Sequence, residues 1–209
     1  MSEWTDAASF ATAGGTLVLA LATFASVRVS NRAARTTERS LLAGMLPLLV
    51  PSRIDDPLEK IRFVDDHWIE IGGGHAAAEV SNNVVYLAIA LRNVGQGLAL
   101  LDRWNVDASG TLDGEPKHPD AFHRLTRDLY VASGDVGFWQ GAFRDESDPD
   151  FSAVAMSIAE RRSLTVDLLY GDFEGGQRTV SRFLLTPREN TQWLSTVTRH
   201  WRLDRPSPR

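Results

Sequence analysis

Residue types able to do chemistry occur in several short clusters of this chain. Gly95-Gln-Gly97-Leu-Ala-Leu100 begins like a dinucleotide-binding fingerprint. Leu100 stands where the third glycine belongs, and the following residues have strand character. The fingerprint needs a helix whose N-terminus faces a pyrophosphate, so a tight turn is the expectation here. Gly72-Gly-Gly74 lacks the Lys and Ser/Thr of a phosphate loop and reads as a hairpin tip. The acidic run Asp145-Glu-Ser-Asp148-Pro-Asp150 offers oxygen ligands for Ca²⁺. It lacks the glycine and the distal bidentate Glu of an EF-hand loop, so a solvated loop capping the next helix is expected. His67, His75, His118, His123 and His200 are scattered, with no i, i+4 pair for a helical metal site. His118 and His123 fall five apart in an expected loop. No Gly-x-Ser-x-Gly elbow is present, and nothing selects a Ser-His-Asp triad. The chain contains no cysteine, which removes disulfides, thiolate zinc sites and a Cys nucleophile. The expectation is no catalytic residue, no metal site and no cofactor.

Aromatic residues are the more suggestive set. Trp104, Phe138, Trp139, Trp193 and Trp201 fall in or beside expected strands. Phe138 and Trp139 are adjacent, so a regular strand sends them to opposite faces. One of the two then needs cover from a helix at 150–161, or else serves as an interface anchor. Phe138, Trp139 and Trp104 are therefore the interface candidates.

The elements that must position these residues are mostly strands. Short runs rich in Val, Ile, Leu, Phe, Tyr and Trp alternate with Gly, Pro, Asn and Asp clusters. Strands are expected at 48–53, 61–64, 67–71, 84–92, 99–107, 136–143, 164–170, 179–185 and 194–203. Val84–Leu91 is apolar on both faces, as in a central strand covered on both sides. Leu164, Val166, Leu168 and Tyr170 alternate with Thr165 and Asp167, which predicts one wet face. Gly171–Gly176 reads as a hairpin loop. Phe151, Val154, Ala155 and Ile158 have helical spacing, with Asp150 the expected N-cap of a helix over 150–161. The pattern predicts an antiparallel β-sandwich over 45–205, followed by a tail at 206–209.

The formal charge is −5 and the apolar fraction 43%, which fits a folded domain and argues against nucleic-acid binding through phosphate neutralisation. Ahead of the domain, after a short tail at 1–6, residues 7–27 carry neither charge nor proline. As a helix they would span about 31 Å, close to the hydrocarbon thickness of a bilayer. A buried core helix is the other reading of the segment. Glu3 and Asp6 precede it, while Arg28, Arg32, Arg35 and Arg39 follow it on a basic juxtamembrane helix at 28–44. By the positive-inside rule the N-terminus lies outside and the β domain in the cytoplasm. The acidic leader differs from the basic n-region of a cleaved signal peptide. The arginine spacing i, i+4, i+7, i+11 makes one stripe, able to meet anionic lipid headgroups as well as to set topology. Ala7, Ala11 and Gly15 form a small-xxx-small row through which a homodimer could pack.

The stretch Leu91-Arg-Asn-Val-Gly-Gln-Gly-Leu-Ala99, the Gly134-Asp135 turn, the late Tyr170-Gly-Asp-Phe-Glu-Gly175 hairpin and the tail Arg199–Arg205 carry a resemblance. Together, over roughly residues 45–205, they resemble uncharacterised bacterial single-pass membrane proteins with an immunoglobulin-like β-sandwich domain. That resemblance implies a fold and an anchor, and no activity. The expected function is a membrane-anchored, non-enzymatic interaction module binding a protein partner or its own copy. A small-ligand or carbohydrate-binding sandwich, with Trp139 or Trp104 stacking on the ligand, is the alternative, and a hydrolase the third.

Overall fold

The computed structural model describes residues 23–204, apart from 35, 38, 39, 42, 43, 113, 190 and 191. The chain forms two compact units, Met1–Gly44 and Met45–Arg209. In the first, residues 23–34 are helical and exposed, with Arg28 and Arg32 one turn apart. Arg35 and Arg39 lie outside the described residues, as does most of the span expected at 7–27. Among the described residues no helix is long and apolar enough to cross a membrane.

The second unit is mainly β. In chain order its strands are β1 (Leu49–Pro51), β2 (Glu59–Arg62), β3 (Trp68–Ile71), β4 (His75–Ser81), β5 (Val84–Asn93) and β6 (Ala99–Asp107). They continue as β7 (His123–Val131), β8 (Val136–Phe143), β9 (Leu164–Gly171), β10 (Thr179–Pro187) and β11 (Trp193–Arg202), with one helix, α1 (Phe151–Ala159), between β8 and β9. Nine strands form one antiparallel sheet, and β2 and β3 form a separate hairpin. Along the sheet β8 pairs with β5, then β5 with both β1 and β4, and β4 leads through β11, β10, β9 and β6 to β7. The sheet curls until its ends, β7 and β8, touch. No backbone pairing joins these two strands among the described residues. Side chains hold the seam instead: Arg127 donates to Gln140 at 2.8 Å and lies over the Phe138 ring at 5.7 Å.

Strand β5 explains the arrangement. Val85, Leu87, Ile89 and Leu91 point into the enclosed core, while Tyr86, Ala88 and Ala90 point outward under Ile61, Phe63, Ile69 and Ile71 of the β2–β3 hairpin. Each fully buried aliphatic side chain contributes about 1.5–3 kcal/mol, so a strand buried on both faces anchors two clusters at once. The two-residue turn Asn82-Asn83 has both φ angles positive, 49° and 58°, and joins β4 to β5 with the twist a hairpin needs. The enclosed core also contains Trp104, Trp139, Phe143, Tyr170, Phe183 and Trp193. Helix α1 inserts Val154 into it.

Strand β9 corrects an expectation. Its Thr165 and Asp167 face is buried, not wet. Thr111, Gly114 and Phe122 lie over it: Thr165 Oγ1 donates to the Thr111 carbonyl at 3.3 Å, and Phe122 packs on Leu169. Asp167 forms a fork with Arg182 of β10, with Nε to Oδ1 at 2.7 Å and Nη2 to Oδ2 at 2.8 Å. Arg182 also donates to the Gly114 carbonyl at 3.2 Å, and the Trp201 ring stacks on its guanidinium at 4.8 Å.

Candidate functional site

A groove of about 890 Å³ runs along β4, between Trp68 of β3 on one side and Ile158 and Arg161 at the end of α1 on the other. Its floor is the outward edge of β4. β11 pairs with β4 only at Trp193↔Ala76 and Leu194↔His75, and Ser195 N–H reaches the Gly74 carbonyl at 3.1 Å. Backbone groups alternate along a strand, so those of Ala76, Ala78 and Val80 face the same side as the Gly74 carbonyl. Ala76 is satisfied by β11. Ala78 and Val80 lie past the start of β11, and in this register Ala78 stands opposite residue 191, which lies outside the described residues. Trp68 is 56% exposed and Val80 44% exposed, so apolar surface flanks this edge.

A second cluster lies where β7 begins. The His123 ring packs on Trp104 at 4.7 Å and edge-on to Phe143 at 5.2 Å. Its Nδ1 is 3.8 Å from an Asp148 oxygen and its Nε2 is 3.8 Å from an Asp150 oxygen. Asp148 Oδ1 accepts from the Asp150 N–H at 2.9 Å. Asp150 occupies the N-cap position of α1, but its side chain makes no cap hydrogen bond, which corrects the expected capping role. The Lys117 ammonium stands 4.0 Å from Asp150 and donates to Asn105 at 3.1 Å.

Comparison with protein-family models, curated proteins and solved structures gives no match. The groove and the cluster must therefore be read from their own geometry.

The sequence candidates fall as follows. Trp139 is fully buried and Trp104 is 4% exposed, so neither interface candidate offers its ring to a partner in this fold. Both are core residues because β8 and β6 turn them into the curl. A Cβ on Gly141 would lie 2.6 Å from the Trp139 ring, so glycine there makes room for it. Phe138 is half-buried and packs against both the enclosed core and the cluster under the hairpin. Its cover comes from the β2–β3 side and Arg127 rather than from the helix at 150–161.

The glycine motifs are structural. Gly95 and Gly97 permit close approach: a Cβ would fall 2.3 Å from the Leu46 carbonyl oxygen and 1.8 Å from that of Met45. Asn93, fully buried, organises this turn, accepting from Leu48 N–H at 3.1 Å and Gly95 N–H at 2.9 Å and donating to the carbonyls of Gly97 at 2.7 Å and Val131 at 3.0 Å. Gly72–Gly74 is the β3–β4 tip, with Gly74 at φ 72°. Asp172 orders the β9–β10 loop by accepting from Gly176 N–H at 2.8 Å.

The remaining histidines are dispersed. His67 stacks on Tyr86 at 4.0 Å and bonds Glu79 at 2.5 Å, and His75 bonds the Gly73 carbonyl at 2.7 Å. His118 is exposed beside Asp120. His200 Nδ1 lies 2.6 Å from Ser181 Oγ, a contact reminiscent of a nucleophile–base pair. Ser181 is fully buried and its oxygen is also engaged by the Tyr170 hydroxyl at 2.7 Å, so no substrate carbonyl can reach it. Burial pushes the Tyr170 phenol up, and its oxygen also accepts from the Leu49 N–H at 3.1 Å.

Strands β7 and β4 differ in how visible they are in the sequence. Leu125, Leu129 and Val131 keep a period of two through the charged run His123–Val131, which marks β7 as a strand with one exposed face. The alanine-rich His75–Ser81 carries little β propensity, so β4 had no comparable mark.

Proposed function

We propose that the chain is a membrane-tethered, non-enzymatic interaction module whose β4 edge receives an extended segment of a protein partner. The outward edge of β4 beyond its two pairs with β11, on the floor of an apolar-flanked groove, supports this reading. An added strand would satisfy the backbone groups of this edge, and alternate side chains would meet Trp68 on one side and Ile158 on the other. Unpaired strand edges template association, and β4 carries no proline; its one carboxylate, Glu79, is engaged by His67.

The tether is part of the same proposal. The uncharged segment at 7–27, the arginines that follow it, and exposed Phe24, Val27 and Val29 beside Arg28 and Arg32 support a bilayer-facing helix. The β unit would then lie on the cytoplasmic side, with the arginines near anionic lipid headgroups. Kinship with the bacterial immunoglobulin-like membrane proteins belongs to the proposal too. It is supported by the antiparallel curl around one aromatic core and by the Arg92-Asn93-Val-Gly95-Gln-Gly97 turn. Trp68 on the groove wall favours a second reading, stacking of a small ligand or sugar, because the volume lies in the range of ligand clefts.

The test is photo-crosslinking in cells that express the full chain with a reactive residue in place of Val80, or of exposed Tyr130 as control. The Val80 adduct is expected to disappear on Ala78→Pro, since proline removes the outward N–H while leaving the bonds to β5. Adducts that are the same from both positions, or that survive Ala78→Pro, refute the edge. An adduct at twice the chain's mass identifies a second copy as the occupant.

A further inference from the structure

We propose that His123, Asp148 and Asp150 form a binding site for a divalent first-row transition metal, with Zn²⁺ the preferred ion. This site lies at the seam of the sheet and goes beyond the interaction reading of β4. One ligand atom from each residue can be chosen so that all three lie within 4.8 Å of one another. The His123 nitrogens stand 3.8 Å from carboxylate oxygens, beyond hydrogen-bond distance. Those two distances belong to different ring nitrogens, and a single nitrogen serves one ion, so the 4.8 Å spread is the one to close. Two atoms bound to one zinc at about 2.1 Å each lie about 3.4 Å apart in tetrahedral geometry, so side-chain rotation that closes about 1.4 Å completes the set.

Three further observations favour a ligand role. Neither ring nitrogen of His123 has a hydrogen-bond partner among the described residues, although the ring is held in place by Trp104 and Phe143. Asp150 sits where an N-cap would normally bond the helix backbone and instead directs its carboxylate toward His123. Pro149 restricts the spacer between the two aspartates, and the Asp148–Asp150 backbone bond fixes their relative placement. One imidazole with two carboxylates is a borderline donor set, suited to zinc and its neighbours. It is too poor in oxygen for Ca²⁺ and supplies a nitrogen that Mg²⁺ does not seek. Three protein ligands leave a position for water or for a group from outside.

Lys117 is the competing cation. Its ammonium is 4.0 Å from Asp150 and its side chain is half exposed, so it can swing into solvent when the ion enters. The site also has a structural consequence. His123 begins β7, whereas Asp148 and Asp150 follow β8, so one ion would join the two strands that the sheet leaves unpaired.

The experiment is calorimetric titration of Zn²⁺ into the full chain, purified in detergent and freed of metal with a chelator, together with its melting temperature. One equivalent is expected to bind and to raise Tm. Asp150→Asn, a change at a part-exposed side chain, is expected to weaken binding at least tenfold, and Lys117→Met to tighten it. His123→Ala should abolish it. Co²⁺ in place of zinc should give visible absorption bands that Asp150→Asn alters. No binding by the parent chain, or binding unchanged in Asp150→Asn, overturns the proposal.

Discussion

Replacing Arg182 by methionine tests the buried polar layer between β9 and β10. The Arg182 side chain is 8% exposed and that of Asp167 3% exposed, and the pair is bidentate. Methionine keeps most of the volume but leaves the Asp167 carboxylate without this cation. Removing one member of a buried pair costs about 3–5 kcal/mol, whereas replacing both by apolar residues is often neutral or stabilising. Arg182→Met alone should therefore lower stability by about 3–5 kcal/mol. The double variant Arg182→Met, Asp167→Leu should recover most of it, a coupling of at least about 2 kcal/mol. Urea unfolding of the full chain in detergent, followed by tryptophan fluorescence, reads all four members of the cycle, because Trp104, Trp139 and Trp193 are buried in the core of each. A single-variant loss below about 1 kcal/mol, or losses that simply add, would refute the view that this fork bears on the fold.

Acid provides a second test. The Arg92 hydrogen bond holds the Asp56 carboxyl below its usual value, with the Arg53 backbone N–H acting in the same direction. A lowered folded-state pKa gives stability that is present above the unfolded value, about 3.9, and lost as pH falls through the folded one. Asp56→Asn should therefore be less stable than the parent at pH 7 and converge with it in strong acid, as followed by circular dichroism. Asp204, held down by the Arg178 hydrogen bond, should behave alike, and a gap that persists at low pH would exclude this cause for either residue. In the β5–β6 turn, Gly97→Ala places a Cβ against the Met45 carbonyl and should cost about 1–3 kcal/mol by thermal unfolding, with a neutral result arguing against the close approach. Asn93→Ala strands several buried backbone groups, each worth about 1–3 kcal/mol, and should prevent cooperative unfolding at room temperature.

Much of the sheet was legible in the sequence because burial repeats locally. β6 and β8 fall at the expected residues, and β5 announced its double burial through unbroken apolarity. What escaped depends on contacts distant along the chain. Thr165 and Asp167 look like a wet face until Thr111 and Phe122 come over it, and nothing near Asp167 names Arg182 as its partner. Trp104 and Trp139 looked like spare aromatics because a flat strand has two faces, and only the curl puts both inside. The same holds for His123, Asp148 and Asp150. Each was weighed with its neighbours in sequence, whereas the geometry joins the start of one strand to the loop after another. The continuity of the nine strands in one sheet also depends on which edges meet, which local pattern does not encode.

The seam between β7 and β8 gives the sheet a preferred line along which to part. Opening there breaks the Arg127–Gln140 contact and side-chain packing but no ladder. Amides of β7 and β8 that point across it should trade hydrogen for deuterium through a low-energy excursion, while those of β5, bonded on both sides, should wait for complete unfolding. Such an excursion would admit solvent toward the Trp139 indole, whose buried N–H has no partner among the described residues. The closed ring would then exist alongside a rarer split form, and anything that bridges its two lips would change the ratio between them.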